Sequence, residues 1–345
     1  MATSSTSFQR KWRSGKTAVI RVPEMMVQRL MEIAQCWDEA GASQLREEDG
    51  VWLIEMPRKA VRYDPLRPIN IGAVPLRSPF RYPGGKTWLV PQLRCWLLAK
   101  HSKPAHFIEP FSGGAIASMT VGFERLARHV VFAEIDESVA AVWRVVLNGE
   151  AEWLAQKILT FEVKLEEVQK WLQITPPTLR ERAFQTILRN RMQRGGIMAD
   201  GAGLIKVGEN GKGLLSRWYA ATLAKRIREI NKRKDRFSFV NGDGFDLMKE
   251  HAEDRDAVFY IDPPYTLAAK RLYQHWEMDH KKLFAQAAAL RGDFLMSYDD
   301  DPEIRKLAAE HGFQVSSIAM KNTHHQHQSE LLIGRDLSWM VEPIA

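Results

Sequence analysis

Residues 257–261 form an apolar run with the length of a buried strand, and the chain then continues with Asp262, Pro263, Pro264 and Tyr265. Each proline fixes the φ angle and removes a backbone donor, so the strand has to end here. The arrangement predicts a rigid pocket with a carboxylate and a backbone carbonyl as acceptors and an aromatic ring as a flat wall. A strand followed by an ordinary proline turn is the alternative that these four residues leave open.

A pocket of this kind suits the exocyclic amine of a flat base. The amino nitrogen of adenine is a poor nucleophile because its lone pair is delocalised into the ring. The carboxylate of Asp262 and the carbonyl of Pro263 are placed to accept its N–H groups, which draws the nitrogen toward tetrahedral geometry and frees the lone pair. Tyr265 is placed to stack on the ring.

Two further motifs precede the tetrapeptide. The first is R-Y-P-G-G-K at residues 81–86, and the second is F-I-E-P-F-S-G-G-A at residues 107–115. In the second, an apolar strand runs into Glu109 and a small-residue turn, and a helix is predicted over 116–126. Paired glycines let a backbone approach a nucleotide-like ligand, and a helix N-terminus favours its carboxylate or phosphate. The spacing differs from the G-x-G-x-x-G dinucleotide fingerprint.

An acid also ends the next predicted strand, residues 129–136. Glu134 is placed to bind both hydroxyls of a ribose. Taken alone, it also fits an acid at a helix N-terminus. One competing interpretation is excluded: the letters G-K-T at 85–87 end like a phosphate-binding loop, but that loop requires glycine at position 80, where the chain has Phe80.

Positive charge is concentrated in one segment. The net charge of the chain is +7 and its isoelectric point is about 9.3, which suits a polyanionic partner. Residues 179–236 contain 15 Lys and Arg against 5 Asp and Glu, a local net charge of +10. A solvated helical face is one interpretation of such a run. Because aromatic residues and glycines are mixed with the arginines, phosphate neutralisation is the better one.

The remaining pattern alternates helices and strands. Within residues 150–236, helices are predicted at 150–172, 179–192 and 216–234, with a loop over 193–213 that contains seven glycines. After the tetrapeptide, helices are predicted at 278–290 and 302–310 and strands at 294–298, 313–318 and 330–333. These elements predict a doubly wound, mostly parallel α/β sheet with an antiparallel finish.

The amino-terminal part carries weaker signals. Residues 1–16 are polar and basic and are expected to be disordered, 17–22 fit a short strand, and a helix is expected from there to about Glu39. A DNA-binding ribbon-helix-helix arm and a packing extension both fit, and the extension is favoured because a second helix is unconvincing. Residues 57–79 contain five prolines and are interpreted as a linker.

Three observations bear on compartment and metals. No apolar run reaches the length that spans a membrane, which predicts a soluble protein. The only cysteines are Cys36 and Cys95, which indicates a reducing compartment rather than a disulfide scaffold. The histidine tract at 324–327 has no second group at ligand spacing, so a solvated loop or strand edge is favoured over a zinc site.

The three motifs, in this order and with a basic insert before the last, resemble the Dam-type family of DNA adenine N6-methyltransferases. The resemblance runs from about Leu76 to Trp339. It implies S-adenosylmethionine as the methyl donor and double-stranded DNA as the partner. It also implies a Rossmann-like catalytic domain over 76–149 and 237–345, interrupted by a helical target-recognition insert over 150–236. Residues 1–16 and 17–75 are then a tail and an accessory extension.

The resemblance assigns roles to individual residues. The predicted catalytic residues are Asp262, Pro263 and Tyr265. The predicted cofactor-binding residues are Tyr82, Gly85, Lys86, Glu109, Pro110, Phe111, Gly113, Gly114, Glu134, Asp243, Phe245 and Asp262. The predicted DNA-binding residues are Arg81, Arg189, Arg191, Arg194, Arg217 and Tyr219.

Two departures from the family pattern matter. Glutamate stands at position 134 where the family usually has aspartate, which keeps a carboxylate for the ribose on a longer arm. The insert lacks the sequence by which the GATC-modifying members read their site. The recognition sequence is therefore open, as is a partnership with a restriction enzyme.

The mechanism that the resemblance implies is direct in-line transfer of a methyl group from the sulfonium to N6 of a flipped adenine, without a metal or a covalent enzyme intermediate. The expected setting is the cytoplasm of a bacterium or a phage-infected cell, and the expected state is a monomer or weak dimer. One alternative is an RNA adenine or protein glutamine methyltransferase, although these usually carry asparagine where this chain has Asp262. Another is a non-catalytic DNA-binding regulator, against which the intact Lys86, Glu109 and Asp243 argue.

Overall fold

The computed structural model describes residues 45–48, 51–54, 74–81, 85–198, 202–264, 278–321 and 327–340. The chain divides into two compact units, Met1–Val61 and Arg62–Ala345. The predicted tail, the short strand at 17–22 and the helix that follows it lie outside the described residues.

The first unit contains an antiparallel hairpin that the sequence analysis did not predict. Strand β1 spans Leu45–Glu48 and β2 spans Val51–Ile54, with Leu45 paired to Ile54 and Glu48 to Val51. The two residues between the strands are Asp49 and Gly50. Asp-Gly between two short runs is a strong signal for a two-residue hairpin loop, so the sequence carried the information.

The second unit is built on a seven-stranded sheet. Its strands are β3 (His106–Glu109), β4 (His129–Glu134), β5 (Phe237–Asn241), β6 (Ala257–Ile261), β7 (Asp293–Asp299), β8 (Gln314–Lys321) and β9 (His327–Gly334). Their order is β5-β4-β3-β6-β7-β9-β8. The first five are parallel, whereas β9 runs antiparallel to both β7 and β8. This confirms the predicted doubly wound, mostly parallel sheet with its antiparallel finish.

The strand order determines where a ligand can bind. β3 lies inside the sheet, with β4 on one side and β6 on the other, although β4 and β5 lie between β3 and β6 in the chain. The connections therefore leave β3 and β6 in opposite directions. In open α/β sheets, the crevice at the carboxyl ends of two such strands is the usual ligand site.

The helices of the second unit cover the sheet. They are α1 (Val90–Leu98), α2 (Ile116–Glu124), α3 (Glu137–Leu147), α4 (Ala151–Thr160), α5 (Leu165–Gln173), α6 (Leu179–Met192), α7 (Ala220–Asn231), α8 (Gly244–Glu250), α9 (His280–Ala289) and α10 (Pro302–Glu310). Short 3-10 turns occupy Lys86–Leu89, Arg194–Gly196, Glu209–Gly211, Gly213–Arg217 and Lys234–Arg236.

The insert departs from its predicted pattern most clearly in its first helix, whereas the helix predicted over 216–234 is shortened to α7, Ala220–Asn231, between two 3-10 turns. The single helix predicted over 150–172 is divided into α4 and α5, because Phe161 leaves the helix in an extended conformation. Its ring packs edge-on against Phe184 of α6 and against Trp218, with ring centroids 5.2 Å and 5.7 Å away. Tertiary packing of one aromatic ring therefore overrides the local helical periodicity.

The insert is helical as predicted, but it does not separate from the sheet as a compact unit of its own. Phe184 and Ile227, on α6 and α7, belong to the same buried cluster as Phe132 of β4 and Trp143 of α3. A continuous hydrophobic core thus holds the insert against one face of the sheet. Among the described helices, none is long and apolar enough to cross a membrane.

Candidate active site

Three acids meet at one edge of the sheet. Glu109 is the last residue of β3, Glu134 is the last residue of β4, and Asp262 directly follows β6. These strands are parallel neighbours in the order β4-β3-β6. Their carboxyl ends therefore bring residues from three distant segments of the chain to the ligand crevice of the sheet.

Lys86 contacts the acid of the D-P-P-Y motif. Its Nζ lies 3.0 Å from Oδ1 of Asp262 and 4.0 Å from Oε2 of Glu330. Lys86 is 6 % exposed and Glu330 is 5 % exposed. Burial by itself would lower the pKa of Lys86, but the carboxylates of Asp262 and Glu330 raise it above its ordinary value. The first motif thus supplies a fully charged ammonium group to the third.

Ser297 holds the same carboxylate from the neighbouring strand. Its hydroxyl donates to Oδ1 of Asp262 at 2.8 Å, and the hydroxyl of Tyr260 lies 2.9 Å from Ser297 Oγ. The registered pair Ile261 and Met296 places Asp262 beside Ser297. Tyr260 and Ser297 are both buried. Sequence analysis missed Tyr260, which lies on β6 itself, and Ser297 and Glu330, which come here only because β7 pairs with β6 and β9 pairs with β7.

Glu109 is buried without a cation beside it in the described part of the chain. Its Oε2 accepts the backbone N–H of Ser118 at 2.8 Å. Burial raises the pKa of Glu109 to about 8, and the nearby charges of Asp262 and Glu134 act in the same direction.

The turn that follows Glu109 has an unusual backbone. Gly113 has φ +47° and Ala115 has φ +48°, so two residues adopt the left-handed conformation just before α2 begins. The carbonyl of Gly113 accepts the indole N–H of Trp143 at 3.0 Å, and the N–H of Ser112 donates to the carbonyl of Ala133 at 3.0 Å. These contacts tie the turn to α3 and β4. Left-handed conformation in a residue with a side chain is uncommon and costs free energy, which marks the turn as a candidate ligand contact.

Glu134 is buried in the same way as Glu109. Its Oε1 accepts the N–H of Asp136 at 2.8 Å. Burial raises the pKa of Glu134 to about 7, with a further contribution from the charge of Asp136. Asp136 itself caps α3 by accepting the N–H groups of Ser138 and Val139.

The loop after β5 packs on the turn after β3. Asp243 caps α8 and accepts the N–H of Phe245 at 2.9 Å. The ring of Phe245 lies edge-on to Phe111 at a centroid distance of 5.8 Å, and the ammonium of Lys282 lies 4.4 Å from the ring centroid of Phe245. A Cβ atom on Gly244 would come within 2.5 Å of the carbonyl oxygen of Pro110, so only glycine permits this approach.

The other predicted site residues are located as follows. Pro263 is buried next to Asp262, Gly114 is buried in the turn before α2, and Gly85 is exposed just before the 3-10 turn that begins at Lys86. Tyr82 and Tyr265 lie outside the described residues.

The predicted DNA-binding residues differ in accessibility. Arg194 and Tyr219 are exposed, and Arg81, Arg189 and Arg217 are partly exposed. Their contact with DNA stays a prediction.

Arg191 requires a correction. It was predicted at the DNA, but its side chain is 4 % exposed and one of its Nη atoms donates to the backbone carbonyl of Pro79. Burial lowers the pKa of Arg191 to about 9, and the positive charges of Arg226, Arg81 and Arg217 contribute. Its geometry is that of a residue that holds the insert against the segment just before the R-Y-P-G-G-K motif.

A metal site is not found in the described ranges: no group of three or more His, Cys, Asp or Glu side chains there could hold a metal ion. Part of the 324–327 histidine tract lies outside these ranges, so its predicted role as a loop or strand edge stays a prediction.

Comparison with known proteins gives one family match. Residues 206–323 match the model of the D12 class of N6 adenine-specific DNA methyltransferases. The matched segment contains Asp243 and Asp262, and it confirms the resemblance predicted from the motifs. Comparison with curated protein sequences finds no match.

Two solved structures show a distant likeness to this chain. The rRNA methyltransferase aviRa from Streptomyces viridochromogenes is 16% identical, with a TM-score of 0.33 over 72% of this chain and 84% of that one. A candidate RNA methyltransferase from Pyrococcus horikoshii is 12% identical, with a TM-score of 0.33 over 74% of this chain and 84% of that one. TM-scores at this level are too low to establish a common substrate.

Proposed function

We propose that this chain, which matches the D12 class of N6 adenine-specific DNA methyltransferases over residues 206–323, transfers a methyl group from S-adenosylmethionine to N6 of adenine in double-stranded DNA. The match supports methyltransferase activity of the adenine-specific type. The observation that carries the assignment is the contact of Lys86 with Asp262 at the switch point of the sheet, beside Glu109. It joins the first and third motifs in one crevice.

The crevice fits a cationic nucleoside donor. Glu109 and Glu134 are buried carboxylates whose pKa values are raised to about 8 and about 7, and within the described residues neither forms an ion pair. A buried acid of this kind is stabilised when a positive charge or hydroxyl donors arrive. In the turn between them, the hydroxyl of Ser112 is buried and has no hydrogen-bond partner among the described residues.

Each cofactor role follows from position. S-adenosylmethionine supplies a methyl group on a positively charged sulfur. Glu134 would accept hydrogen bonds from the ribose hydroxyls, Asp243 would accept one from the adenine amino group, and Phe245 would cover the adenine ring. The Gly113 turn would lie along the amino-acid end, where its left-handed backbone presents main-chain groups to the ligand.

Asp262 is the proposed acceptor for the substrate amine. Lys86 and Ser297 both contact its Oδ1, so the carboxylate is held in one orientation before substrate arrives. A fixed carboxylate next to the carbonyl of Pro263 can accept the two N–H bonds of adenine N6 and direct its lone pair toward the sulfonium carbon. The N–C bond forms as the S–C bond breaks, and the cationic amine then releases a proton.

The proposed substrate is duplex DNA, and the target adenine has to leave the stack because N6 cannot enter a closed pocket inside the helix. The partly and fully exposed arginines of the insert, Arg189, Arg194 and Arg217, are proposed to neutralise phosphates. This choice of substrate rests on the D12 match and on the basic insert.

The test is methyl transfer by the purified full-length protein. Labelled S-adenosylmethionine is offered with duplex DNA, with RNA and with a glutamine-containing protein extract, and digested products are identified by mass spectrometry. N6-methyladenine in DNA is expected from the unchanged protein. Asp262→Ala is expected to reduce the rate by at least about 10³-fold while DNA binding persists, since only the acceptor of the amine is removed.

The matched control is Asp256→Ala. Asp256 is an exposed acid just before the first residue of the same strand, at the opposite edge of the sheet, and its replacement should leave the rate unchanged. Methylation of RNA or protein instead of DNA would overturn the substrate, and full activity of Asp262→Ala would overturn the site.

A further inference from the structure

The main chain that leads into the first motif, up to its first residue Arg81, is held by side chains of the insert. Arg226 donates to the carbonyl of Ser78 at 3.2 Å, and Arg191 donates to the carbonyl of Pro79. Asn190 accepts the N–H of Arg81 at 2.8 Å and donates to the carbonyl of Arg81 at 2.9 Å. Three of the four residues 78–81 are thus bonded by helices α6 and α7, more than 100 positions later in the chain.

Asn190 has the most specific geometry of the three. Its amide pairs with both backbone groups of Arg81, as a neighbouring strand would, and its remaining N–H contact goes to the carbonyl of Gly196 at 3.1 Å. The side chain is completely buried. Because a buried amide that loses its partners costs free energy, this arrangement is strongly preferred over displaced ones.

The loop after α6 packs equally tightly on Arg81. Gly196 has φ +77°, and a Cβ atom built on it would lie 2.3 Å from the carbonyl oxygen of Arg81. Only glycine tolerates both the backbone conformation and the contact. Two independent features of the insert, an amide and a glycine, therefore meet the same peptide.

Arg81 is close to the catalytic crevice along the chain. Five residues later, Lys86 begins the 3-10 turn Lys86–Leu89 and reaches Asp262. On its other side, the turn continues directly into α1. The position of Lys86 therefore depends on two anchors: α1 behind it and the bonded segment 78–81 before it.

We propose that Asn190 is a positioning residue that, together with Arg191 and Arg226, couples the insert to Lys86. These three side chains form a latch between the part of the protein proposed to hold DNA and the lysine that orients the catalytic acid. A shift of the insert moves residues 78–81 and, through them, the ammonium of Lys86 relative to Asp262. The proposal rests on the proposed function for its kinetic consequence, but the latch itself is a property of the folded chain.

The chain offers a matched control on the same helix. Gln185 is a buried amide of α6 that donates to the carbonyls of Trp171 and Ile174 at 2.7 Å and 2.8 Å. Its bonds stay within the insert. Replacing Gln185 removes a buried amide with two backbone bonds without touching residues 78–81.

The experiment compares Asn190→Ala with Gln185→Ala in the full-length protein. Hydrogen exchange of peptides that cover residues 78–89 should speed up at least about tenfold in Asn190→Ala and stay unchanged in Gln185→Ala. The kcat of Asn190→Ala should fall about 10- to 100-fold, because a misplacement of about 1 Å costs this much. The dissociation constant for duplex DNA should stay within about threefold. Gln185→Ala should keep kcat within about twofold.

A second variant keeps the test decisive if Asn190→Ala does not fold. Asn190→Asp retains the acceptor for the N–H of Arg81 and loses both donated bonds, so the same changes are expected. Equal losses of kcat in Asn190 and Gln185 variants, or unchanged exchange over 78–89, would overturn the latch. An unchanged protein that methylates nothing would overturn the proposed function instead, and the exchange measurement would still decide about the latch.

Discussion

The acid after β6 and the acids at the ends of β3 and β4 share one edge of the sheet, yet their surroundings differ. Asp262 has the ammonium of Lys86 at 3.0 Å and the hydroxyl of Ser297 at 2.8 Å. Glu109 and Glu134 accept backbone N–H groups and form no ion pair within the described residues, and burial raises their pKa values to about 8 and about 7. Within the described residues, the carboxylate of Asp262 therefore has a positively charged partner, whereas the carboxylates of Glu109 and Glu134 do not.

The difference indicates which kind of ligand each part of the crevice is suited to bind. A carboxylate paired with a cation and a hydroxyl keeps its orientation without a ligand, which suits an acceptor that must be ready when the base arrives. Buried carboxylates without a cation destabilise the empty protein and gain stability when a cation binds. This is the electrostatic pattern expected of a pocket for the methyl-accepting base beside a pocket for the cationic methyl donor.

The largest effect is expected when the positive charge beside Asp262 is removed. Lys86→Met removes the ammonium from Asp262 while keeping a long apolar side chain. We expect kcat to fall by about 10²-fold or more, because the carboxylate loses the charge that orients it. Steady-state methyl transfer to DNA measures the effect.

Lys100→Met is the control for that variant. Lys100 forms an ion pair with Asp293, the first residue of β7, at the amino edge of the same sheet. Its replacement should leave kcat within about twofold. If both lysine variants lowered kcat equally, the contact of Lys86 with Asp262 would have no special part in catalysis.

A smaller effect is expected at Glu134, which has no cation beside it among the described residues. Because the pKa of Glu134 is about 7, its carboxyl is mostly protonated at pH 6 and mostly ionised at pH 8. In the proposed function the ionised form accepts both ribose hydroxyls, so Glu134→Gln should weaken binding of S-adenosylmethionine about tenfold at pH 8 and little at pH 6. Calorimetric titration at the two pH values measures this.

Glu253→Gln serves as the control for the titration, since Glu253 pairs with Arg291 in the turn before β6, at the far edge of the sheet. It should bind the donor as the unchanged protein does. Glu134→Gln with full affinity at pH 8 would show that the ribose lies elsewhere.

The smallest effect concerns stability without a ligand. The folded pKa of Glu109, about 8, lies above its ordinary value of 4.5, so the folded state holds a proton that the unfolded state has released between these pH values. Stability of the empty protein therefore falls as pH rises from about 4.5 to 8. Glu109→Gln should raise the free energy of unfolding by roughly 1–3 kcal/mol at pH 8 and by nothing near pH 4.

Denaturant titrations at the two pH values test this. An equal change at both would mean that packing, rather than the charge of Glu109, is responsible. The same variant should bind S-adenosylmethionine more weakly than the unchanged protein at pH 8. The negative charge of Glu109 that destabilises the empty protein is the same charge that would attract the cationic donor.

Local patterns predicted much of the fold. The strand at 257–261 and the helices at 179–192 and 302–310 have the predicted bounds, because apolar runs, caps and prolines are visible in sequence. The prediction of one helix over 150–172 was wrong, since the position of Phe161 depends on rings from α6 and the segment before α7. The hairpin at 45–54 was missed although Asp49-Gly50 signals it.

The acids of the candidate site were predicted for a physical reason. In a doubly wound sheet, the residues at the carboxyl ends of parallel strands gather at one edge whatever the side-chain details, so Glu109, Glu134 and Asp262 could be selected from their place in the pattern. Ser297, Glu330 and Asn190 could not. They depend on the register of neighbouring strands and on how the insert packs.

The amino-acid sequence by itself determined the α/β class, the three motifs and the acids that end their strands, because these follow from short-range periodicity and from strand direction. The tertiary structure alone decided that Lys86 pairs with Asp262, that Arg191 is buried rather than at the surface, and that Asn190 holds the backbone of Arg81. Such contacts join residues about 110 to 180 positions apart, and their geometry is set by packing of the whole core rather than by any local pattern.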